Sequence, residues 1–178
     1  MVNVFANRSS SKWTKRELVG RILWTIIAPS FALSPRPFWA WRRMILRLFG
    51  ARIGQEVHIY PSVRIAIPWN LEIGDYSAVG AGAQLYSLGR IVLGREVTVS
   101  QGAHLCAGTH DWRDPTMPLL KPPIEICDGA WICAEAFIGP GITIGNRAIV
   151  GARAVVFKDV GNDSIVVGNP AVQIKTRI

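Results

Sequence analysis

The sequence has few cysteines and little charge, and it lacks long uninterrupted apolar runs. Its three cysteines show no CxxC spacing, which argues against a disulfide framework or a zinc ribbon, so we expect small core residues in a reducing compartment. No apolar run approaches the roughly 20 residues of a membrane-spanning helix, which argues against an integral membrane protein. Charged residues make up 18% and hydrophobic residues 49% of the 178 residues, which excludes general disorder. The length fits one domain with a substantial core.

Acidic residues are scarce in the first fifty positions, which hold nine lysines and arginines but a single acid, Glu17. Residues 51–178 hold eleven basic and eleven acidic groups, so the whole formal charge of +8 comes from the N-terminal part. This asymmetry predicts a basic, tryptophan-rich helical segment at 1–50 and a second segment at 51–178 with different surroundings.

Two helices are predicted in the N-terminal segment, over about 13–28 and 38–49. The first rests on apolar residues spaced by four positions, namely Leu18, Ile22 and Ile26. The second is expected to end at Gly50, because glycine favours the residue after a helix C-terminus. Three prolines are expected to break the helix between them: Pro29, Pro35 and Pro37.

Four of the seven tryptophans lie in this N-terminal segment, together with aliphatic and arginine residues. Such a composition on short helices is typical of a membrane interface, so contact with a membrane surface through 1–50 is one interpretation. The alternative is that the helices only cap the main domain; an acidic partner is a third. We expect no signal peptide, because no small-residue cleavage site follows an apolar region. No nucleic acid is expected as a partner, because no nucleic-acid motif accompanies the charge.

From Ile53 onward, aliphatic residues recur at every sixth position and a glycine or another small residue often follows. The series is Ile53, Ile59, Ile65, Ile73, Val79, Leu85, Leu93, Val99, Leu105, Ile126, Ile132, Ile138, Ile144, Val150 and Val156. Period six fits neither an α-helix nor an alternating strand, and a β-sandwich would need a period of two. The pattern predicts an all-β fold, a parallel β-helix in which three hexads complete one triangular coil.

About five coils are predicted, with coils about 4.8 Å apart as in any sheet. The spacing between aliphatic positions rises to eight at 65–73 and at 85–93, so two residues are expected to bulge at a corner each time. It rises to twenty-one at 105–126, which predicts a protruding loop there.

Several longer stretches resemble the hexapeptide-repeat O-acetyltransferases: LCAGTHDWRDPTMPLLKPP at 105–123, WICAEAFIGPGITIG at 131–145 and VVFKDVGNDSIVVGNPAVQIKTRI at 155–178. The opening SPRPFWAWRRMILRLFGARIG at 34–54 resembles the branch of colanic-acid-type exopolysaccharide acetyltransferases, relatives of the nodulation, maltose and galactoside acetyltransferases. The resemblance implies a left-handed β-helix and a homotrimer with active sites between subunits. It also implies acetyl-CoA as the acyl donor, a sugar hydroxyl as the acceptor and no required metal.

Acyl transfer from a thioester to a hydroxyl needs a base for the hydroxyl proton, an oxyanion donor and two substrates held together. His110 matches the family's catalytic histidine in the motif GTHD at 108–111, and it begins the protruding loop, so we predict that it is the general base. Asp111 and Asp114 are candidates to orient the imidazole or to contact the sugar. Trp112 is a candidate to stack on a pyranose ring.

Further site residues follow from the resemblance. The galactoside branch places an asparagine in the acceptor region one to two coils earlier, but 79–89 has none, so Gln84 and Tyr86 are candidates to replace it. Glu135 is a candidate to contact His110 or the acceptor. The donor is expected along small residues and then beside an aromatic residue and two lysines, in order Ala134, Ala152, Phe157, Lys158 and Lys175.

Two other functions compete with this interpretation. His104 precedes His110 by one hexad, and zinc-dependent carbonic anhydrases of the hexapeptide type use three histidines, but the third ligand would have to be His58, more than two coils away. The other competitor is a non-catalytic trimeric scaffold. The leading prediction is a cytoplasmic acetyltransferase, peripheral on the inner face of the membrane, where a lipid-linked sugar acceptor would account for the N-terminal segment.

Overall fold

The computed structural model describes residues 3–177, which form three α-helices followed by nineteen short strands. The helices are α1 (Val4–Ser9), α2 (Lys15–Ala32) and α3 (Trp39–Leu48). The first sheet contains β1 (Arg52–Ile53), β4 (Leu71–Ile73), β7 (Ile91–Leu93), β12 (Ile124–Ile126) and β15 (Thr143–Ile144). The second contains β2 (His58–Ile59), β5 (Ala78–Val79), β8 (Thr98–Val99), β13 (Trp131–Ile132), β16 (Ile149–Val150), β18 (Ser164–Val167) and β19 (Val172–Thr176). The third contains β3 (Arg64–Ile65), β6 (Gln84–Tyr86), β9 (His104–Cys106), β14 (Phe137–Ile138) and β17 (Val155–Val156). A hairpin of β10 (Thr109–His110) and β11 (Leu119–Leu120) stands apart from these sheets.

The three sheets are the sides of a parallel β-helix, as the six-residue period predicts. Each coil contributes one strand to each sheet, and the strands of successive coils pair in parallel, for example Ile53 with Ile73 and Ile73 with Leu93. All fifteen aliphatic positions of the repeat are buried inside the coils. Five coils are complete, and a sixth begins where Val160 bridges to Ile144. After β18 the chain reverses, and β19 pairs with it antiparallel.

The interruptions of the period lie where the spacing predicted them. A turn of 3₁₀-helix at Pro68–Asn70 takes up the first extra residues, and the Asn70 side chain donates to the carbonyls of Ser87 and Leu88 in the next bulge, both at 2.9 Å. The long interval before Ile126 is taken up by the hairpin. The repeat therefore continues through each interruption without losing its register.

The N-terminal helices differ from the prediction in two respects. Helix α1 was not predicted; the Asn3 side chain caps it by accepting a hydrogen bond from the amide of Ala6 at 3.0 Å. Helix α2 runs through Pro29 to Ala32, so the expectation of a break at Pro29 was wrong. Proline costs the helix one backbone hydrogen bond, but the following turn buries Phe31 edge-on against Trp24, and that packing outweighs the loss. No described helix is long and apolar enough to cross a membrane.

Helix α3 ends at Leu48, close to the predicted end, and Gly50 follows the cap residue Phe49 in the left-handed region at φ +86°. The amide of Gly50 donates to the carbonyl of Arg47, and the amide of Ala51 donates to that of Leu46, which closes the helix end. The chain then enters β1 directly. Ile45 and Leu46 of α3 belong to the same hydrophobic cluster as the first coils, so the helices cover the open end of the β-helix.

Arg42 fastens the helices to the first coil. Its side chain is fully buried, and its guanidinium donates to the carbonyl of Ile59 at 2.6 Å, to the Ser34 hydroxyl at 2.7 Å and to the carbonyl of Pro35 at 2.9 Å. A further hydrogen bond reaches the carbonyl of Arg36. Burial lowers the pKa of Arg42, but an arginine this well hydrogen-bonded stays charged. One side chain thus joins the end of the helical segment to the second sheet.

We expect Arg42→Met to lower the free energy of unfolding by about 3 kcal/mol, because it leaves buried carbonyls without donors. Urea unfolding followed by circular dichroism measures the change. Arg64→Met is the matched control, since Arg64 is exposed on β3, and it should change stability by less than about 0.5 kcal/mol. Equal effects of the two substitutions would contradict the role assigned to Arg42.

Candidate active site

The hairpin carrying His110 leaves the β-helix directly after β9. Thr109 pairs with Leu120 and His110 with Leu119, so the tip comprises residues 111–118. Close packing holds the base of the hairpin: a Cβ on the buried Gly89 would lie 2.5 Å from the carbonyl oxygen of Lys121. Only glycine leaves room for the returning chain at that point. A rigid scaffold thus presents a projecting tip, the usual arrangement for functional loops.

His110 has an exposed side chain whose Nδ1 lies 2.7 Å from the carbonyl oxygen of Met117. A carbonyl can only accept, so Nδ1 carries the hydrogen and donates it. In the neutral imidazole this leaves Nε2 unprotonated and available as a base. The hydrogen bond also restricts rotation of the ring. The contact therefore sets both the tautomer and the orientation that a general base requires.

The two aspartates of the tip bond to the tip's own backbone. Asp111 Oδ1 accepts from the amide of Arg113 at 3.0 Å. Asp114 Oδ1 accepts from the amide and the hydroxyl of Thr116 at 2.7 and 2.8 Å, and these hydrogen bonds lower the pKa of Asp114. The carboxylates thus shape the turn, while the partner of the His110 ring is a backbone carbonyl. The sequence does not reveal that partner, because every residue has a backbone carbonyl and residue identity does not show which one accepts the hydrogen bond.

Among the candidate acceptor residues, Trp112 is the most exposed, with 77% of its surface accessible. The Arg113 guanidinium lies 5.4 Å from the centroid of its ring. An exposed indole beside a base has the flat apolar face on which a pyranose ring can stack. The role of Trp112 stays a prediction.

An aromatic ladder follows the outer face of the third sheet. Gln84 pairs with His104, which pairs with Phe137, and the ring centroids are 6.4 Å apart for Tyr86 and His104, 5.3 Å for His104 and Phe137 and 5.6 Å for Phe137 and Phe157. The ladder connects two of the candidate acceptor residues with one candidate donor residue. Burial among these rings lowers the pKa of His104, which therefore stays neutral near pH 7.

The remaining candidates lie on the later coils. The Glu135 carboxylate pairs with Arg153 at 2.6 Å, and this contact lowers its pKa. Ala134 and Ala152 occupy the same corner one coil apart, where the amide of Arg153 donates to the carbonyl of Ala134 at 2.9 Å. The other three are exposed at the last coil, where Phe157 and Lys158 follow the third sheet and the partner of Ile165 in the second sheet is Lys175. The donor contacts of these residues stay predictions.

The three histidines have separate surroundings. His58 lies on the second sheet and stacks on Trp39 with 4.7 Å between ring centroids. His104 belongs to the aromatic ladder, and His110 lies on the hairpin. Within residues 3–177, no three histidine, cysteine or acidic side chains converge as metal ligands would. The geometry thus gives the three-histidine zinc hypothesis no support.

We expect the neutral state of His104 to make the fold sensitive to acid. Its pKa is lowered by burial, so the unfolded chain takes up this proton first as the pH falls below about 6.5, and the free energy of unfolding falls with it. His104→Gln should make the decline between about pH 7 and about pH 5 shallower, as measured by urea unfolding at each pH. An identical decline in both proteins would contradict this.

Comparisons with known proteins agree with this structure. The family model described as bacterial transferase hexapeptide (six repeats) matches residues 123–158. A protein of Escherichia coli K12 named as a colanic acid biosynthesis acetyltransferase, WcaF, is 42% identical over 158 residues, which are 89% of this chain and 87% of that protein. Among solved structures, a hexapeptide-repeat acetyltransferase of Vibrio cholerae (VCA0836) in complex with acetyl coenzyme A superposes with a TM-score of 0.85 at 23% identity, covering 94% of this chain and 92% of that one. A galactoside acetyltransferase in complex with coenzyme A superposes with a TM-score of 0.86 at 20% identity, covering 93% and 84%. The resemblance seen in the sequence motifs is confirmed, and the chain belongs to the hexapeptide-repeat acetyltransferase family.

Proposed function

We propose that this protein transfers an acetyl group from acetyl-CoA to a sugar hydroxyl during exopolysaccharide synthesis, with His110 as the general base. The observation that carries the proposal is the hydrogen bond from His110 Nδ1 to the Met117 carbonyl, because it leaves Nε2 free to accept a proton. The similarity to WcaF over most of both chains supports an acceptor of the exopolysaccharide class.

The reaction needs no covalent intermediate, because the thioester is already activated. Nε2 of His110 takes the hydroxyl proton as the sugar oxygen attacks the thioester carbonyl, and a tetrahedral intermediate forms. The imidazolium is stabilised by its hydrogen bond to the Met117 carbonyl. When the carbon–sulfur bond breaks, His110 returns the proton to the leaving thiolate, and the products are the acetylated sugar and coenzyme A.

For the acceptor we propose stacking on the exposed Trp112 and polar contacts from the third sheet, where Gln84 and Tyr86 lie beside the hairpin's origin. For the donor we propose the corner formed by Ala134 and Ala152, whose small side chains allow a thin pantetheine arm to approach the backbone. Its phosphates and adenine would then meet the exposed residues of the last coil, Phe157, Lys158 and Lys175.

We further propose a homotrimer whose active sites lie between neighbouring subunits.

We expect His110→Ala to lower kcat about 10²- to 10⁴-fold and to leave the KM for acetyl-CoA within about twofold, because only proton transfer is lost. Release of coenzyme A with a panel of nucleotide sugars and lipid-linked sugars measures the rate. His58→Ala is the control, since that ring stacks on Trp39 away from the hairpin. Full activity of His110→Ala would overturn the mechanism, and failure of the wild-type protein to bind acetyl-CoA would favour a scaffold.

The outer face of α2 supports a membrane-bound acceptor. Gly20, Trp24 and Phe31 turn toward the β-helix, and Gly20 lets the Trp69 ring approach closely. Opposite Trp24, the helix exposes Leu18, Ile22 and Ile26, and the exposed side chains of Val19, Leu23 and Ile27 extend this aliphatic ribbon around one flank of the helix. Two exposed cations, Lys15 and Arg16, begin the same helix. We propose that the ribbon lies on an anionic membrane surface, where each nearby cation adds about 1 kcal/mol of attraction. Because acetyl-CoA is made in the cytoplasm, the surface proposed is the cytoplasmic one.

The double variant Ile22→Glu/Ile26→Glu should abolish flotation with vesicles that contain phosphatidylglycerol, while activity on a soluble sugar stays unchanged. The control is Val172→Glu/Ile174→Glu, which makes the same exchange at similarly exposed positions on β19, at the other end of the β-helix. If the double variant still binds vesicles but loses its oligomeric state, another copy of the chain covers the ribbon. That result would contradict the membrane proposal.

A further inference from the structure

We propose that Asn7, on the N-terminal helix α1, is a positioning residue for the catalytic base His110. This inference rests on the proposed function, because it assigns a role toward the base of that reaction. It concerns a residue more than a hundred positions away from His110 in the sequence. Nothing in the hexad repeat or in the motifs of the hairpin points to Asn7.

One carbonyl oxygen connects the two residues. The Asn7 side-chain amide donates to the carbonyl of Thr116 at 2.7 Å and to the carbonyl of Met117 at 2.7 Å. The Met117 oxygen also accepts from His110 Nδ1 at 2.7 Å. A carbonyl oxygen has two lone pairs, and both are used here. The atom that fixes the tautomer of His110 is thus itself held by Asn7.

The orientation of the Asn7 amide is determined by its partners. Its oxygen accepts from Nζ of Lys12 at 2.9 Å, and an ammonium can only donate. Its nitrogen faces two carbonyls, which can only accept. If the oxygen and the nitrogen of this amide were exchanged, its NH₂ group would face the Lys12 ammonium, and both are donors. Its oxygen would face the two carbonyl oxygens, and all three are acceptors. Both polar atoms of the side chain are therefore hydrogen-bonded, and only one orientation of the amide allows this.

The tip of the hairpin needs such support. Met117 has φ +46°, in the left-handed region that a residue with a side chain rarely occupies. Within residues 3–177, the hydrogen bonds to residues 115–117 from outside the tip come from His110, from the Asn7 side chain and from the amide of Asn3, which donates to Pro115 at 2.7 Å. Two of these three donors belong to α1 and its N-cap residue, so the N-terminal region supports the strained segment.

The base of the hairpin is joined to the same N-terminal region. Lys121 Nζ donates to the carbonyl of Lys12 at 3.2 Å and lies 3.8 Å from the centroid of the Trp13 ring. The N-terminal region thus touches the hairpin at two points, with Asn7 of α1 at the tip and residues 12–13, which follow α1, at Lys121. If Asn7 loses its donors, the Met117 carbonyl can move, and His110 is free to place its hydrogen on Nε2. A ring protonated there cannot accept the hydroxyl proton at that atom.

The test is Asn7→Asp, which keeps the shape and the contact with Lys12 but turns both donors into acceptors that repel the carbonyls. We expect kcat to fall about ten- to a hundredfold while the KM for acetyl-CoA stays within about twofold. Asn7→Ala should change kcat in the same direction but less. Ser9→Ala is the matched control on the same helix, because the Ser9 hydroxyl donates only within α1, to Phe5 at 2.9 Å, and it should keep full activity.

Two further measurements separate positioning from a general structural effect. In the His110→Ala background, Asn7→Asp should cause no further loss of kcat, because it acts through the missing ring. Nitrogen-15 NMR of His110 should show hydrogen on Nδ1 in the wild-type protein and a mixture of tautomers in Asn7→Asp. Wild-type kcat and an unchanged tautomer in Asn7→Asp would overturn the inference, as would an equal loss in both backgrounds. If His110→Ala itself proves active, the proposed function fails, and the NMR comparison still decides whether Asn7 holds His110.

Discussion

Stacking of each inward aliphatic side chain on its equivalent one coil away is the interaction on which the whole structure depends. Ile53, Ile73 and Leu93 illustrate it, since they follow one another in register along the first sheet and are all buried. Each coil is too thin to bury its own apolar side chains, so stability comes from the contact between coils. The same regularity makes the outer surface predictable, because every outward residue has a fixed place above its neighbour.

A stack of coils has two ends, and the protein closes them differently. At the N-terminal end, Trp24 Nε1 donates to the carbonyl of Ile65 at 2.9 Å, and Arg42 donates to the carbonyls of Ile59 and Pro35. The helices thus take the place that a further coil would occupy. At the C-terminal end, β19 folds back antiparallel on β18. The helices cover the first coil, whereas β19 is itself the fully exposed terminal strand of the second sheet. The helical end also has the larger apolar surface facing away from the β-helix.

The sequence predicts the repeating part of the molecule well, because there each position is decided by its immediate neighbours. The coils, the bulges, the protruding loop and the glycine that follows α3 were predicted correctly, but the hairpin that forms the loop was not. Continuation of α2 through Pro29 was not, because it depends on the burial of Phe31 against Trp24, a tertiary contact. For the site, the motif points to His110 as the proposed base, but the partner of its ring is a backbone oxygen set by the fold of the tip. The contacts of Asn7 were out of reach for the same reason, since only the folded chain brings α1 to residues 116 and 117.

The contact between Asn7 and Met117 spans 110 positions of the chain, and this has a consequence for biosynthesis. The ribosome adds about 5–20 residues per second, so α1 emerges roughly 5–20 s before the hairpin on which it docks. A helix of six residues is too short to be stable alone in water, so this segment is unstructured during that interval. Early coils can stack as they appear, whereas the proposed catalytic centre is completed only when α1 docks on a hairpin that is synthesised much later.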